Sequence, residues 1–429
     1  MADECRLERF RSGGSLFLPL ARLGLCLPTD KLERGVSIRK MMGHGMLACG
    51  VVAWLLCGVS AASAQEARAP VEARVPFAPT AFVGSDGLTH LAYELHITNI
   101  YGDTGPLKPR ELDVFADAAS VPLARFSAAQ LADMVRPAQV PDAPIAIEAG
   151  KRSEIYVWLT LPAGQPAPKL LRHRIEFDAI NGRTEWLDGV EVPVGTTAPM
   201  VIGPPLRGGR WLAHEGPGDA HSHHWGSLVA VNGQVTIPQR YALDLVGLDA
   251  RGQVMRAGVK DIGKSRHADW IGYGTDVLAV ADGVVRDVRD GQPEHPPLSP
   301  QAEPDSLTAH GLFGNYVVLE IGPGVFATYA HLRRDSVKVQ VGERVRRGAI
   351  LGQLGQSGSS SAPHLHFQIA NAATFEGSEG LPYMFDGFDL RGPASEAQIF
   401  GQGEAWNAGP AEHRRAQLPL NDMVIEFPP

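Results

Sequence analysis

The sequence predicts an all-β protein, an N-terminal β-sandwich followed by an antiparallel β-sheet domain. Three observations predict it. Apolar and polar residues alternate with period two over residues 91–99, 112–115 and 155–161, and more briefly over 173–177. That is the pattern of strands with one buried face. Turn-forming clusters such as Gly84-Ser85-Asp86-Gly87 and Pro162-Ala163-Gly164 separate the runs, as in an antiparallel sandwich. In 429 residues, 48 Gly and 33 Pro favour short strands and many turns over long helices.

Taken in order, residues 1–40 read as an extension ahead of a start at Met41 or Met42. Residues 41–64 read as a secretory signal: Arg39-Lys40 is the basic flank, 46–59 the apolar run, and Ala62-Ser63-Ala64 the small-x-small cleavage site. The apolar run is too short for a membrane span, and no later segment is apolar enough for one. Residues 65–76 read as a flexible lead-in. The sandwich is expected over 77–197, with one helix at 127–135 capped by Ser127. His90, His96 and His173 read there as ordinary strand residues. Residues 198–220 read as a Pro/Gly linker anchored by Trp211, 221–395 as the second domain, and 396–429 as a polar tail, either closing over a strand edge or mobile.

All four cysteines (Cys5, Cys26, Cys49 and Cys57) precede the expected cut. The exported chain would then hold no disulfide, thiolate ligand or thiol nucleophile, so any metal site is built from His, Asp and Glu. Of 39 Lys/Arg and 47 Asp/Glu, 8 and 5 lie in residues 1–64, leaving 31 against 42. That balance argues against nucleic acid or an anionic lipid surface as the main partner.

The chemistry centres on Ser361-Ala362-Pro363-His364-Leu365-His366-Phe367-Gln368. On a strand, His364 and His366 share a face, which suits a divalent metal or one ligand beside a proton carrier. Asp244 is a lone carboxylate in the apolar strand-like run 238–246. Buried there it requires a cation, either a metal or a salt bridge to Arg240. Three histidines, His221, His223 and His224, cluster just upstream. The run 228–231 follows them and, through an Asn232-Gly233 turn, is expected to return beside the Asp244 strand. Two long loops, 247–273 and 288–313, are expected to shape a groove; His295 and His310 in the second read as surface residues. Further strands are expected at 314–321, 325–332, 336–339, 344–345, 350–354 and 365–370.

Five spaced motifs lead up to the His-x-His: Gly274 to Val285, Gly314 to Val318, Tyr329-Ala330-His331-Leu332, Val341-Gly342-Glu343-Arg344-Val345 and Gly348 to Gly352. In that order, over roughly residues 198–390, they resemble the lysostaphin/LytM-type zinc endopeptidases that cut peptidoglycan peptides. The resemblance implies a LytM-type antiparallel sheet domain, Zn2+ as cofactor, peptidoglycan peptides as substrate and an exported, periplasmic, cell-envelope or secreted location. It implies Asp244 and His366 as metal ligands, and His331 and His364 as the non-ligating catalytic pair. Many relatives carry His-x-x-x-Asp at the Asp244 strand, but here the fourth residue upstream is Arg240, which cannot ligate zinc while charged. A family branch with Arg-Tyr-Ala-x-Asp takes its histidine from upstream. His224 is the preferred third ligand, with His223, His221 and His267 as alternatives. The contrasting reading is a degenerate module that binds cell wall or activates a partner amidase. Tyr329, two residues from His331, is expected to share its face and line the cleft.

Overall fold

The 89–99 region shows how the sequence pattern becomes architecture. In the computed structural model the strand Thr89–Asn99 is almost wholly buried. Leu91, Tyr93, Leu95 and Ile97 face one way, into a core shared with Ile155, Val157, Leu112, Ile175 and Phe177. The opposite face holds Ala92, which packs with Tyr156, Trp225 and Tyr241 in a different core. Both faces of this strand are therefore covered by protein.

The structure describes residues 68–136, 145–180, 182–300 and 308–429. The expected extension, the leader, all four cysteines and part of the 288–313 loop lie outside the described residues. Ala67–Pro429 form one compact unit. Among the described residues no helix is long and apolar enough to cross a membrane.

The fold is all-β, as the alternation predicts. A five-stranded sheet joins Val71–Arg74, Thr89–Asn99, Arg152–Thr160 and Val135–Arg136 in that order, with Phe82–Val83 also on Thr89–Asn99. A four-stranded sheet orders Ala124–Ser127, Lys108–Ala116, Leu170–Asp178 and Thr184–Pro193. Among the described residues the one sandwich helix is Ala128–Met134, with Ser127 at its N-cap and Gln130 closing a capping box.

A ten-stranded antiparallel sheet carries the second half. Its order is Arg344–Val345, Gly283–Arg289, Tyr316–Gly322, Val325–Ala330, Leu365–Ala370, Leu243–Leu248, Arg210–His214, Met423–Glu426, Phe388–Pro393 and Glu412–Arg414. The Leu365–Ala370 strand is central; one neighbour carries Asp244, the other leads into His331, and His224 comes from the turn before Val229–Val231.

Several local expectations give way to tertiary pairing. Val71–Arg74 is a strand on Thr89–Asn99, not a loose lead-in. The expected linker contains Met200–Ile202, paired in parallel with Tyr383–Phe385, and Arg210–His214 within the large sheet. The expected tail supplies two further strands of that sheet. Residues 336–339 form no strand. Val229–Val231 does turn at Asn232-Gly233, but among the described residues it pairs only with Gln234–Thr236. The neighbours of the Asp244 strand are Arg210–His214 and Leu365–Ala370 instead. The 247–273 insertion is anchored by Val254, Met255 and Trp270, which pack with Ile399 and Trp406.

Candidate metal centre

Strand register brings the chemistry together. Asp244 lies directly opposite His366 on the adjacent strand, and His366 lies opposite Ala330 on its other side. His331 follows Ala330 at the strand end. There φ is +59°, left-handed backbone that a non-glycine residue rarely adopts. The period-two expectation fails at this residue. Tyr329 does not share a cleft face with His331; it is fully buried, and its hydroxyl accepts from the Val280 N–H at 2.9 Å.

Three imidazoles converge on one carboxylate oxygen. Asp244 Oδ1 is 3.0 Å from His366 Nδ1, 3.3 Å from His364 Nε2 and 3.4 Å from His224 Nε2. Each ring is held from behind. His224 Nδ1 lies 2.9 Å from the Glu215 carbonyl and His364 Nδ1 2.8 Å from the Ala362 carbonyl. His366 Nε2 lies 2.9 Å from Gln368 Oε1. The Gln368 amide is oriented by its own N–H, donated to the Pro238 carbonyl. With its proton on the nitrogen held by that oxygen acceptor, each ring would turn a lone pair toward a cation bound beside Asp244. A buried carboxylate facing three imidazoles is balanced by a protonated ring or by a bound cation.

All five side chains are buried: His224, Asp244, His364 and His366 are 1–2 % exposed and His331 6 %. Burial alone would raise the Asp244 carboxyl, yet the His364 and His224 rings hold it well below the usual range. Burial would lower His364, and Asp244 reverses that and raises it. His331 is pushed well down by burial, then by His364 and His366. Its Nδ1 lies 2.8 Å from the Ser357 carbonyl, and its ring centre is 4.8 Å from that of His364.

The loop that holds both rings depends on close backbone approach. A Cβ on Gly358 would lie 2.4 Å from Gly314 N and 2.6 Å from the Leu312 carbonyl, at φ +77°. No other residue type fits there without moving the loop.

The residues fit a zinc-like ion. Two imidazole nitrogens and one carboxylate oxygen are a common donor set for catalytic zinc. His224 Nε2 is fully buried without a hydrogen bond, which an ion beside Asp244 would satisfy. His223 also belongs to this neighbourhood: His223, His224 and Asp244 each offer an atom within 4.8 Å of the other two. The His223 side chain is 35 % exposed and its Nδ1 lies 3.2 Å from Glu215 Oε2. The other two alternatives are engaged elsewhere. His221 contacts Arg136, and His267 stacks on Tyr273 and bonds the His295 carbonyl. Arg240 does not reach Asp244; it pairs with Glu94 and Glu379. Glu94 and Glu379 were not singled out from the sequence, and their only signal is a carboxylate in a strand and one beside a Gly.

Residues 269–376 match the model of Peptidase family M23. The match covers about a quarter of the chain. His331, His364 and His366 lie inside the matched residues, while His224 and Asp244 precede them. The chain is 32% identical over 105 residues to peptidoglycan DD-endopeptidase ShyC of Vibrio cholerae, covering 24% of this chain and 19% of that protein. It is 48% identical over 56 residues to glycyl-glycine endopeptidase ALE-1 of Staphylococcus capitis, covering 13% of this chain and 15% of the relative. The matches thus span less than a fifth of the length of these relatives. Among solved structures, the catalytic domain of lysostaphin from Staphylococcus simulans aligns at 22% identity, covering 38% of this chain and 80% of that one, with a TM-score of 0.20.

Proposed function

We propose that this chain is an exported zinc endopeptidase that hydrolyses peptide bonds in peptidoglycan stem or cross-link peptides. The observation that carries this reading is the convergence of His224 Nε2, His364 Nε2 and His366 Nδ1 on Asp244 Oδ1. His224, Asp244 and His366 would hold the ion. When bound, zinc supplies Lewis acidity to water and to the scissile carbonyl. His331 and His364 do the proton work. Each has its Nδ1 against a backbone carbonyl, Ser357 or Ala362, so Nε2 is the atom offered to the reacting groups. One ring takes a proton from the attacking water. The other steadies the tetrahedral oxyanion or protonates the leaving amine.

The M23 match and the named activities of ShyC and ALE-1 support peptidoglycan peptides as substrate and the cell envelope as the place of action. The degenerate-module reading rested on Arg240 occupying a ligand slot, and Arg240 is committed to Glu94 and Glu379 instead. Metal analysis of the purified protein, with release of peptides from isolated wall, tests the proposal. About one zinc per chain is expected, lost together with cleavage in Asp244→Ala. Wall binding without zinc or cleavage would refute it.

A further inference from the structure

We propose that Glu94, a residue of the sandwich, is a positioning residue for the metal centre, and that the sandwich is thereby part of the catalytic unit. The proposal rests on reading His224, Asp244 and His366 as metal ligands. Glu94 sits on the face of Thr89–Asn99 turned away from the sandwich core, and it is 1 % exposed. Its Oε1 accepts from Trp225 Nε1 and, at 2.8 Å, from Arg240 Nε; its Oε2 accepts from Arg240 Nη2 at 2.7 Å. Trp225 is the chain neighbour of His224, and Arg240 lies four residues before Asp244. One carboxylate therefore holds both segments that deliver upstream ligands.

The surroundings leave these segments little play. Trp225 is wedged against Tyr156 and Trp158 of the sandwich, with ring centres 5.5 and 6.2 Å away. The far end of Arg240 donates from Nη1 to Glu379 Oε2 at 2.8 Å. A Cβ on Gly380 would lie 2.9 Å from both Arg240 N and the Pro238 carbonyl. The Tyr241 hydroxyl donates to the Ala92 carbonyl of the same sandwich strand at 3.3 Å.

A buried ion pair is weak grounds for a stabilising role, because apolar residues of similar volume serve stability as well. A bidentate carboxylate–guanidinium pair does fix orientation. Groups that orient metal ligands from behind typically change metal affinity about 10- to 100-fold when altered. Glu94→Gln is the informative change. It keeps the side-chain shape and leaves Arg240 balanced by Glu379. It also sets an amide N–H against the N–H groups of Arg240 or Trp225.

The test compares four full-length proteins: wild type, Glu94→Gln, Trp225→Phe and Leu95→Ala. Trp225→Phe removes the indole donor, and carries the test should Glu94→Gln not fold. Leu95→Ala removes a side chain from the sandwich core and controls for lost stability alone. Zinc affinity is measured by chelator competition, and ligand geometry by the visible spectrum of the cobalt(II)-loaded proteins. The expected result is zinc binding about 10- to 100-fold weaker in Glu94→Gln and Trp225→Phe, with an altered cobalt spectrum. Leu95→Ala should melt earlier yet bind zinc within about twofold of wild type. Wild-type affinity and spectrum in Glu94→Gln and Trp225→Phe would overturn the positioning role. So would an equal loss in Leu95→Ala. A wild-type protein that binds no zinc would instead sink the metal reading on which the proposal stands.

Discussion

Replacing Arg240 by histidine creates a His-x-x-x-Asp spacing at the Asp244 strand, yet the structure predicts a poorer protein. The Arg240 guanidinium makes three short charge-assisted contacts, at 2.8 and 2.7 Å to Glu94 and 2.8 Å to Glu379. It is 3 % exposed. An imidazole is too short to span both carboxylates, so at least one is left buried without its counter-charge. Burial already pushes Glu379 upward against the attraction of Arg240. Removing one partner of a buried pair costs roughly 3–5 kcal/mol. At about 2 °C per kcal/mol for a large unit, the melting temperature should fall by about 6–10 °C. Zinc affinity should fall as well, because the Asp244 strand loses its anchor. Scanning calorimetry and zinc titration of Arg240→His read both quantities. Unchanged melting with tighter zinc binding would show that position 240 is open to the metal and that the Glu94–Arg240–Glu379 network has been misread.

Other outcomes follow from single residues. His331→Ala should keep its zinc while peptide cleavage falls about 10²- to 10⁴-fold; equal loss of zinc would make His331 a ligand, as metal analysis beside a kinetic assay would show. Gly358→Ala should destabilise by roughly 1–3 kcal/mol through overpacking, because its Cβ meets backbone of Gly314 and Leu312, and a chemical-denaturation midpoint equal to wild type would contradict the packing. Acid should weaken the sandwich through His173, whose pKa burial lowers to about 4. Its Nδ1–H donates to the Val190 carbonyl and its Nε2 accepts from the Tyr93 hydroxyl, both at 2.8 Å. The folded state binds fewer protons than the unfolded one between pH 6.5 and about 4. The His173 contribution is therefore complete above 6.5 and is lost as pH drops through that window, about 3 kcal/mol for this one residue. Urea midpoints against pH should show this slope, and His173→Gln should flatten it in part, with His96, also lowered to about 4, supplying the remainder. An identical slope in the variant would refute the assignment.

Local periodicity carried the strands whose partners did not need to be known. Alternation at 91–99 was enough to place Leu91, Tyr93, Leu95 and Ile97 in a core. It could not show that the opposite face is buried too, because its cover comes from Trp225 and Arg240, more than 130 residues away. The same limit hid the Arg210–His214 strand among Pro and Gly. Its apolar Trp211-Leu212-Ala213 run is short, and it becomes a strand by pairing with Leu243–Leu248 and Met423–Glu426. Residues 336–339 alternate as well but find no ladder. At the site, His364, His366 and Asp244 were legible because a spaced motif and a stranded carboxylate mark them locally. His224 could be preferred but not separated from His223, and both rings lie near Asp244. Tyr329 was misplaced because strand alternation was extended one residue too far, across the left-handed backbone of His331.

Anomalous diffraction at the zinc edge, on crystals of the full chain grown with zinc, tests the central claim most directly. One peak should appear about 2.0–2.2 Å from His224 Nε2, Asp244 Oδ1 and His366 Nδ1, with His331 and His364 outside bonding distance. No peak there, or a peak bound without Asp244 or His366, would contradict the account.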